Sequence, residues 1–184
     1  MVRDAIVKVL LHPARRRGAG PGGSRLEHWY TLCSRPEAVS AASHCLLLLA
    51  TGDAPPEVMD SFASAQLTFL AKKGGGVRPL ACGTAPRRIV CKAVAQVFRE
   101  RAREVCGPTQ FAVARPRGAE ELHKQVFTGL AIRPTNALAS ADVKHAHGSV
   151  HRSEAIKELD SELPALTPWV RPWLAARPRH SYTE

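Results

Sequence analysis

The chain has 184 residues, 45% of them hydrophobic, enough for a sizeable core and too many for wholesale disorder. Its 26 Lys and Arg outnumber 16 Asp and Glu, a formal charge of +10 that suits a polyanionic partner, with nucleic acid the usual one. No apolar run approaches the roughly 20 residues of a membrane span. Arg15, Arg16 and Arg17 follow the mildly amphipathic Met1 to Leu11 rather than preceding it, the reverse of a secretory signal. No membrane partner is expected, and the implied location is intracellular, nucleus or cytoplasm.

Residues 12–25 are rich in Gly, Pro and Arg and read as a basic linker. With the flanking residues they suggest a flexible arm over 1–34. The termini, through about Arg25 and from about Ala175, are expected to pack poorly. From Arg35 to Ala50 the spacing of Val39, Ala42, Leu46 and Leu49 predicts a helix. Thr51 to Pro56 breaks it. A second helix is expected near Pro55 or Pro56, with Asp53 a candidate cap and Val58, Phe62, Ala65 and Phe69 facing inward.

Leu70 to Gly83 reads as two short strands joined by Gly74, Gly75 and Gly76, and Pro79 places its strand at an edge. Thr84 opens a helix with Pro86 in its first turn. Its apolar stripe is Ile89, Val90, Ala93, Val94, Val97 and Phe98, and Gly107-Pro108 ends it. Gly118 to Leu130 predicts another amphipathic helix. The run Ala137 to Ala141 reads as a strand delivering Asp142 to a sheet edge. His151 or Ser153 caps a helix through Ile156 and Leu159. Thr167-Pro168 begins a last helical turn with Trp169, Val170 and Trp173. The tail over 175–184 is basic and unpatterned.

Cys33, Cys45, Cys82, Cys91 and Cys106 are odd in number and lack a two-residue spacer, which disfavours a disulfide framework or zinc knuckle. Lys72, Lys73 and Arg78 surround the three glycines. Glycine lets backbone N–H groups approach a phosphate, and the cations supply charge, but an ordinary basic hairpin has the same composition. Arg87 and Arg88 stand in the first turn of their helix, where they oppose its dipole. They suit either nucleic-acid backbone or solvent. A lone Asp142 is more commonly a cap or turn former than catalytic. A metal-binding role needs further carboxylates, and only Glu154 and Glu158 follow nearby. His145, His147 and His151 cluster after it without a recognisable ligand pattern.

Three segments together resemble the reverse transcriptase region of non-LTR, LINE-like retrotransposons, over roughly residues 58–174. The first runs from Leu70 through Lys73, Gly75, Gly76, Arg78 and Pro79 to Arg87-Arg88-Ile89 and is similar to the fingers. The second is Gln110 to Val113 with Gly118-Ala119-Glu120 and His123, similar to the template-facing segment. The third, Asp142 to Arg152, resembles the first palm motif. The resemblance implies an α+β fold over 35–174: helix-rich incomplete fingers and palm, with a glycine-turn β-hairpin and a partial palm sheet. It implies that Lys72 or Lys73, together with Arg78, meets the phosphates of a deoxynucleoside triphosphate. Residue His147 would lie under its sugar, and Arg87, Arg88 and Gln110 would face an RNA or DNA template and primer. Asp142 would be both the catalytic and the metal residue, holding Mg2+.

The chain departs from that pattern at His145, where the family has Asn, and at His147, where it has an aromatic gate. The Tyr-x-Asp-Asp hairpin and the thumb do not follow Asp142. The resemblance therefore implies a fragment of an RNA-directed DNA polymerase, inactive alone, with weak Mg2+ binding or none. Two other readings stand beside it. One is a non-catalytic basic protein that binds nucleic acid. The other is a small helical structural or interaction protein whose basic surface is incidental.

Overall fold

The computed structural model describes residues 1–14, 16–143 and 146–182, together with the backbone but not the side chain of His147. It shows a mostly helical fold with a small three-stranded mixed sheet that does not close into a barrel. The chain divides into two compact units, residues 1–97 with 168–184, and residues 98–167. No helix among the described residues is long and apolar enough to cross a membrane.

The core of the first unit is helical. Helix α1 (Val2–Leu11) buries Val2, Ile6, Val9 and Leu10 on one face. It packs against α3 (Pro36–Thr51), which buries Leu46, Leu49 and Ala50, and against α5 (Ala85–Val97), which buries Ile89, Val90 and Ala93. Each fully buried aliphatic side chain contributes about 1.5–3 kcal/mol relative to exposure. The N-terminal segment, expected to pack poorly, therefore supplies one wall of the core, with Ile6 fully buried. Between α1 and α3 lies α2 (Leu26–Leu32). Its Glu27 accepts the Arg16 backbone N–H at 2.6 Å and holds the Gly-rich loop down. Gly52 ends α3 in the left-handed region at φ 77°, and a Cβ there would meet Pro172 at 2.7 Å. That close approach seats α10 (Thr167–Ala175) against the end of α3.

Helix α4 (Pro56–Ala63) stops where Ser64 turns extended, and β1 (Ala65–Ala71) follows. Ala65 and Phe69, expected on a helix face, stand on this strand, because Ala-Gln-Leu-Thr-Phe-Leu-Ala alternates as a strand does. Asp53 caps nothing. Its carboxylate accepts the Thr51 hydroxyl at 2.6 Å, while Pro55 occupies the N-cap of α4. Strand β2 (Val77–Gly83) pairs antiparallel with β1, Ala71 opposite Val77 and Ala65 opposite Gly83. The turn closes with the Lys72 N–H on the Gly76 carbonyl and the Gly75 N–H on the Lys72 carbonyl. Gly75 and Gly76 sit at φ 88° and 82°, which is why glycine is needed there. In this register Pro79 directs its missing N–H away from β1, so the outer edge of β2 is blunted.

The third strand comes from the tail expected to lack pattern. The Arg177 N–H meets the Asp60 carboxylate at 2.6 Å and the Arg179 N–H meets Ser64 Oγ at 3.0 Å. They lead into β3 (His180–Tyr182), which runs parallel to β1 in the order β2-β1-β3.

The second unit holds α6 (Arg99–Cys106), α7 (Gly118–Ile132), α8 (Ala146–Ser149) and α9 (Arg152–Glu162). The single helix expected from Thr84 to Gly107 is two, because Phe98 leaves helical geometry at φ −94°, ψ 6°. The partial palm sheet is also corrected. Residues 137–143 form no strand and are exposed throughout. That run is mostly Ala and Ser around one Leu, poor strand formers, and all three described strands pair among themselves elsewhere. The fingers-and-palm fold class is therefore replaced by a helical fold with a peripheral mixed sheet.

Candidate nucleic-acid interface

Between Asp60 and Glu100 the sequence carries seven Lys or Arg and no carboxylate. The hairpin displays the first three of them. Residues 68–81 are exposed without exception, and the side chains of Lys72, Lys73 and Arg78 make no hydrogen bond or ion pair with another described residue. Lys72 and Lys73 stand at the turn. Arg78 sits opposite Leu70, on the face that also carries Thr68, Leu80 and Cys82. The hairpin therefore presents three cationic side chains without ion-pair partners on a short two-stranded ribbon.

Arg87 and Arg88 make contacts within the fold. Arg87 reaches back to the Ala63 carbonyl at 2.6 Å, and its aliphatic stem lies 3.5 Å from where a Cβ on Gly83 would stand. Arg88 donates to the Gly18 carbonyl at 2.7 Å. Both are half-buried. Their position in the first turn of α5 opposes the helix dipole, and the carbonyl contacts offset that small cost. Thr84, just before α5, donates to the Phe62 carbonyl at 2.8 Å and accepts the Arg87 N–H at 3.4 Å.

Gln110 lies in the second unit. Its side-chain oxygen accepts the Ala112 N–H at 2.8 Å, and it lines a cavity of about 450 Å3 with Glu100, Arg103, Glu104 and Arg115. Arg115 organises this loop and had no signal in the sequence. Its guanidinium grips both carboxylate oxygens of Glu121, donates to the Pro108 carbonyl and stacks 4.5 Å over the Phe111 ring.

Asp142 stands on an exposed, non-strand segment. Glu154, one of its two prospective companions, pairs with Lys157 at 2.8 Å on α9, and Glu158 lies on the same helix. His145 and the side chain of His147 lie outside the described residues, and His151 occupies the N-cap of α9. Among the described residues no three His, Cys, Asp or Glu form a group that could hold a metal ion. The five cysteines are free thiols, Cys33 buried and the others at least partly exposed.

The chain matches no family model and no curated protein. No match supports the reverse transcriptase and retrotransposon assignments implied by the motifs, and the described residues hold neither a palm strand nor a cluster that would support magnesium. The geometry that remains for function is the basic hairpin.

Proposed function

We propose that this chain is a non-catalytic nucleic-acid-binding protein whose contact element is the β1–β2 hairpin. One observation carries the reading: an uninterrupted basic segment whose hairpin exposes the side chains of Lys72, Lys73 and Arg78 without intramolecular partners. Such cations meet phosphates without first breaking an ion pair, whereas Arg87 and Arg88 are held by backbone carbonyls. Contacts of this kind position a nucleic acid through its backbone and are indifferent to sequence. Each phosphate neutralised steepens the fall of log affinity with log salt by about 0.7–0.9.

Fluorescence anisotropy with a labelled oligonucleotide, at several salt concentrations, tests the reading. Binding should weaken with salt, and replacing Lys72, Lys73 and Arg78 together by Ala should flatten the slope. A folded protein that leaves the oligonucleotide unbound at low salt would remove the proposal.

A second reading, a helical interaction protein, draws on α7. Leu122, Phe127 and Ile132 are exposed there, and Gly118 is its only buried residue. Size-exclusion chromatography coupled to light scattering tests it: a monomer at high concentration would count against self-association through this helix.

A further inference from the structure

The two faces of the hairpin differ in chemistry, and the register assigns each residue to one of them. Leu67 pairs with Ala81 on one side and Tyr182 on the other, Phe69 with Pro79, and Ala71 with Val77. Directly paired residues share a face of the sheet. One face therefore carries Leu67, Phe69, Ala71, Val77, Pro79 and Tyr182 and no Lys, Arg, Asp or Glu, with the imidazole of His180 at its foot beside Ala65. Phe69 is 54% exposed, Val77 55% and Tyr182 65%. Arg87 covers only the foot of this face, at Gly83. The charges stand around it: Lys72 and Lys73 at the turn, and Arg78 on the opposite face of β2.

We infer that this face is a stacking platform for single-stranded nucleic acid, with successive bases lying on Phe69 and Tyr182 while the cations at the turn hold phosphates. The inference rests on the nucleic-acid reading above and adds which form of nucleic acid the site takes. Tyr182 is a diagonal neighbour of Phe69 across the sheet, a Cα separation of roughly 8 Å from strand spacing and rise. Two rings at that spacing suit consecutive bases of an extended strand. A paired base offers only its edge, so a duplex cannot use the platform. Charge selects this occupant over an apolar protein surface. A purely hydrophobic partner gains nothing from Lys72 and Lys73 at the turn, and the absence of carboxylates from residues 61–99 favours a polyanion.

The test is a salt-series anisotropy titration with labelled oligodeoxythymidine, alongside a duplex of the same length. The single strand should bind more tightly than the duplex. Phe69→Ala should weaken strand binding about tenfold per stacked base lost, with the salt slope unchanged. Tyr182→Ala should act in the same direction, and Phe69→Trp should bind and lose indole fluorescence as strand is added. Circular dichroism checks that the variants fold, which the exposure of both rings favours. Phe69→Leu separates stacking from simple apolar contact: affinity close to that of Phe69→Ala supports stacking, and wild-type affinity overturns it. If Phe69→Ala binds like the wild type while the triple cation variant does not, the platform falls and the electrostatic reading stands. If the wild type binds neither strand nor duplex, both fall. Self-association that Phe69→Ala abolishes, without loss of strand binding, would assign the face to a second copy of the chain and overturn the inference.

Discussion

The guanidinium of Arg88 donates to the carbonyl oxygen of Gly18 at 2.7 Å, across a separation of 70 residues. Beside that bond, a Cβ on Gly20 would run into the Gly83 carbonyl oxygen, and one on Gly18 would lie 3.5 Å from Cys82 Sγ. The Gly-rich loop is thus a cover over the foot of β2 rather than a free arm. Arg88→Ala should remove the tether. A partly exposed charged hydrogen bond of this kind contributes about 1 kcal/mol. The urea midpoint should drop accordingly, and protease should cut the 16–24 loop sooner. Affinity for an oligonucleotide should change little, because this guanidinium is already occupied. A large loss of binding with unchanged stability would contradict that division of labour.

Helix α1 makes a sharper stability prediction. Ile6 is fully buried among α1, α3 and α5, and Ile6→Ala should cost about 2–5 kcal/mol. Deleting residues 1–11 should prevent the first unit from folding, seen as loss of the cooperative thermal transition. A truncated chain that melts like the full one would show that α1 is dispensable.

Asp142→Asn should be silent. The residue is exposed, and substitutions at such positions usually change stability by less than about 0.5 kcal/mol. Isothermal titration with magnesium should give no saturable heat for either the wild type or the variant. A site lost specifically with Asp142 would contradict this.

What was legible in the sequence was local. Three consecutive glycines between apolar runs specified the hairpin, and the stripe from Ile89 to Val94 specified α5, because turn chemistry and helical period are both written in neighbouring residues. The features that were misread depend on distant partners. Strand β3 is three residues long and pairs with residues 115 positions earlier, so nothing near Ser181 announces it. Residues 137–141 are apolar enough to suggest a strand, but Ala and Ser pair weakly, and the three described strands pair among themselves elsewhere. The structural work of Arg87, Arg88 and Arg115 was hidden for a related reason: their partners include backbone carbonyls, which every residue carries. Of the candidate site, the three hairpin cations were visible as charge beside glycine. The apolar face with Phe69 and Tyr182 became visible only when β3 fixed the register.

Cys33 provides a pH-dependent test of the core. Cys33 is 5% exposed, and burial pushes its thiol above the usual cysteine range. A raised pKa means that the folded state holds the proton more tightly than the unfolded chain does. The resulting stabilisation is complete below the unfolded value and is lost as pH rises through the folded one. Cys33→Ala should therefore show a smaller loss of stability than the wild type between about pH 8 and pH 10. In the wild type, iodoacetamide should label the exposed Cys45 and Cys106 well before Cys33. Equal labelling rates would show that the thiol is not protected.

Gly118 offers the clearest single-residue test in the second unit. A Cβ there would run into the carbonyl oxygen of Phe111, and backbone cannot rotate aside as a side chain can. Phe111 is also the ring beneath Arg115, whose guanidinium joins Glu121 to the Pro108 carbonyl. Moving the Phe111 backbone should therefore disturb the stack and the bidentate ion pair together. Arg115 is only 16% exposed at its side chain, so loosening it sacrifices more than a surface pair would. Gly118→Ala should raise hydrogen exchange across residues 107–121, while α1, α3 and α5 keep their protection. Arg115→Lys should reproduce a milder form, because an ammonium cannot make the planar two-point contact with Glu121. If Gly118→Ala leaves exchange in 107–121 unchanged, the close approach of Gly118 to Phe111 does not constrain this loop.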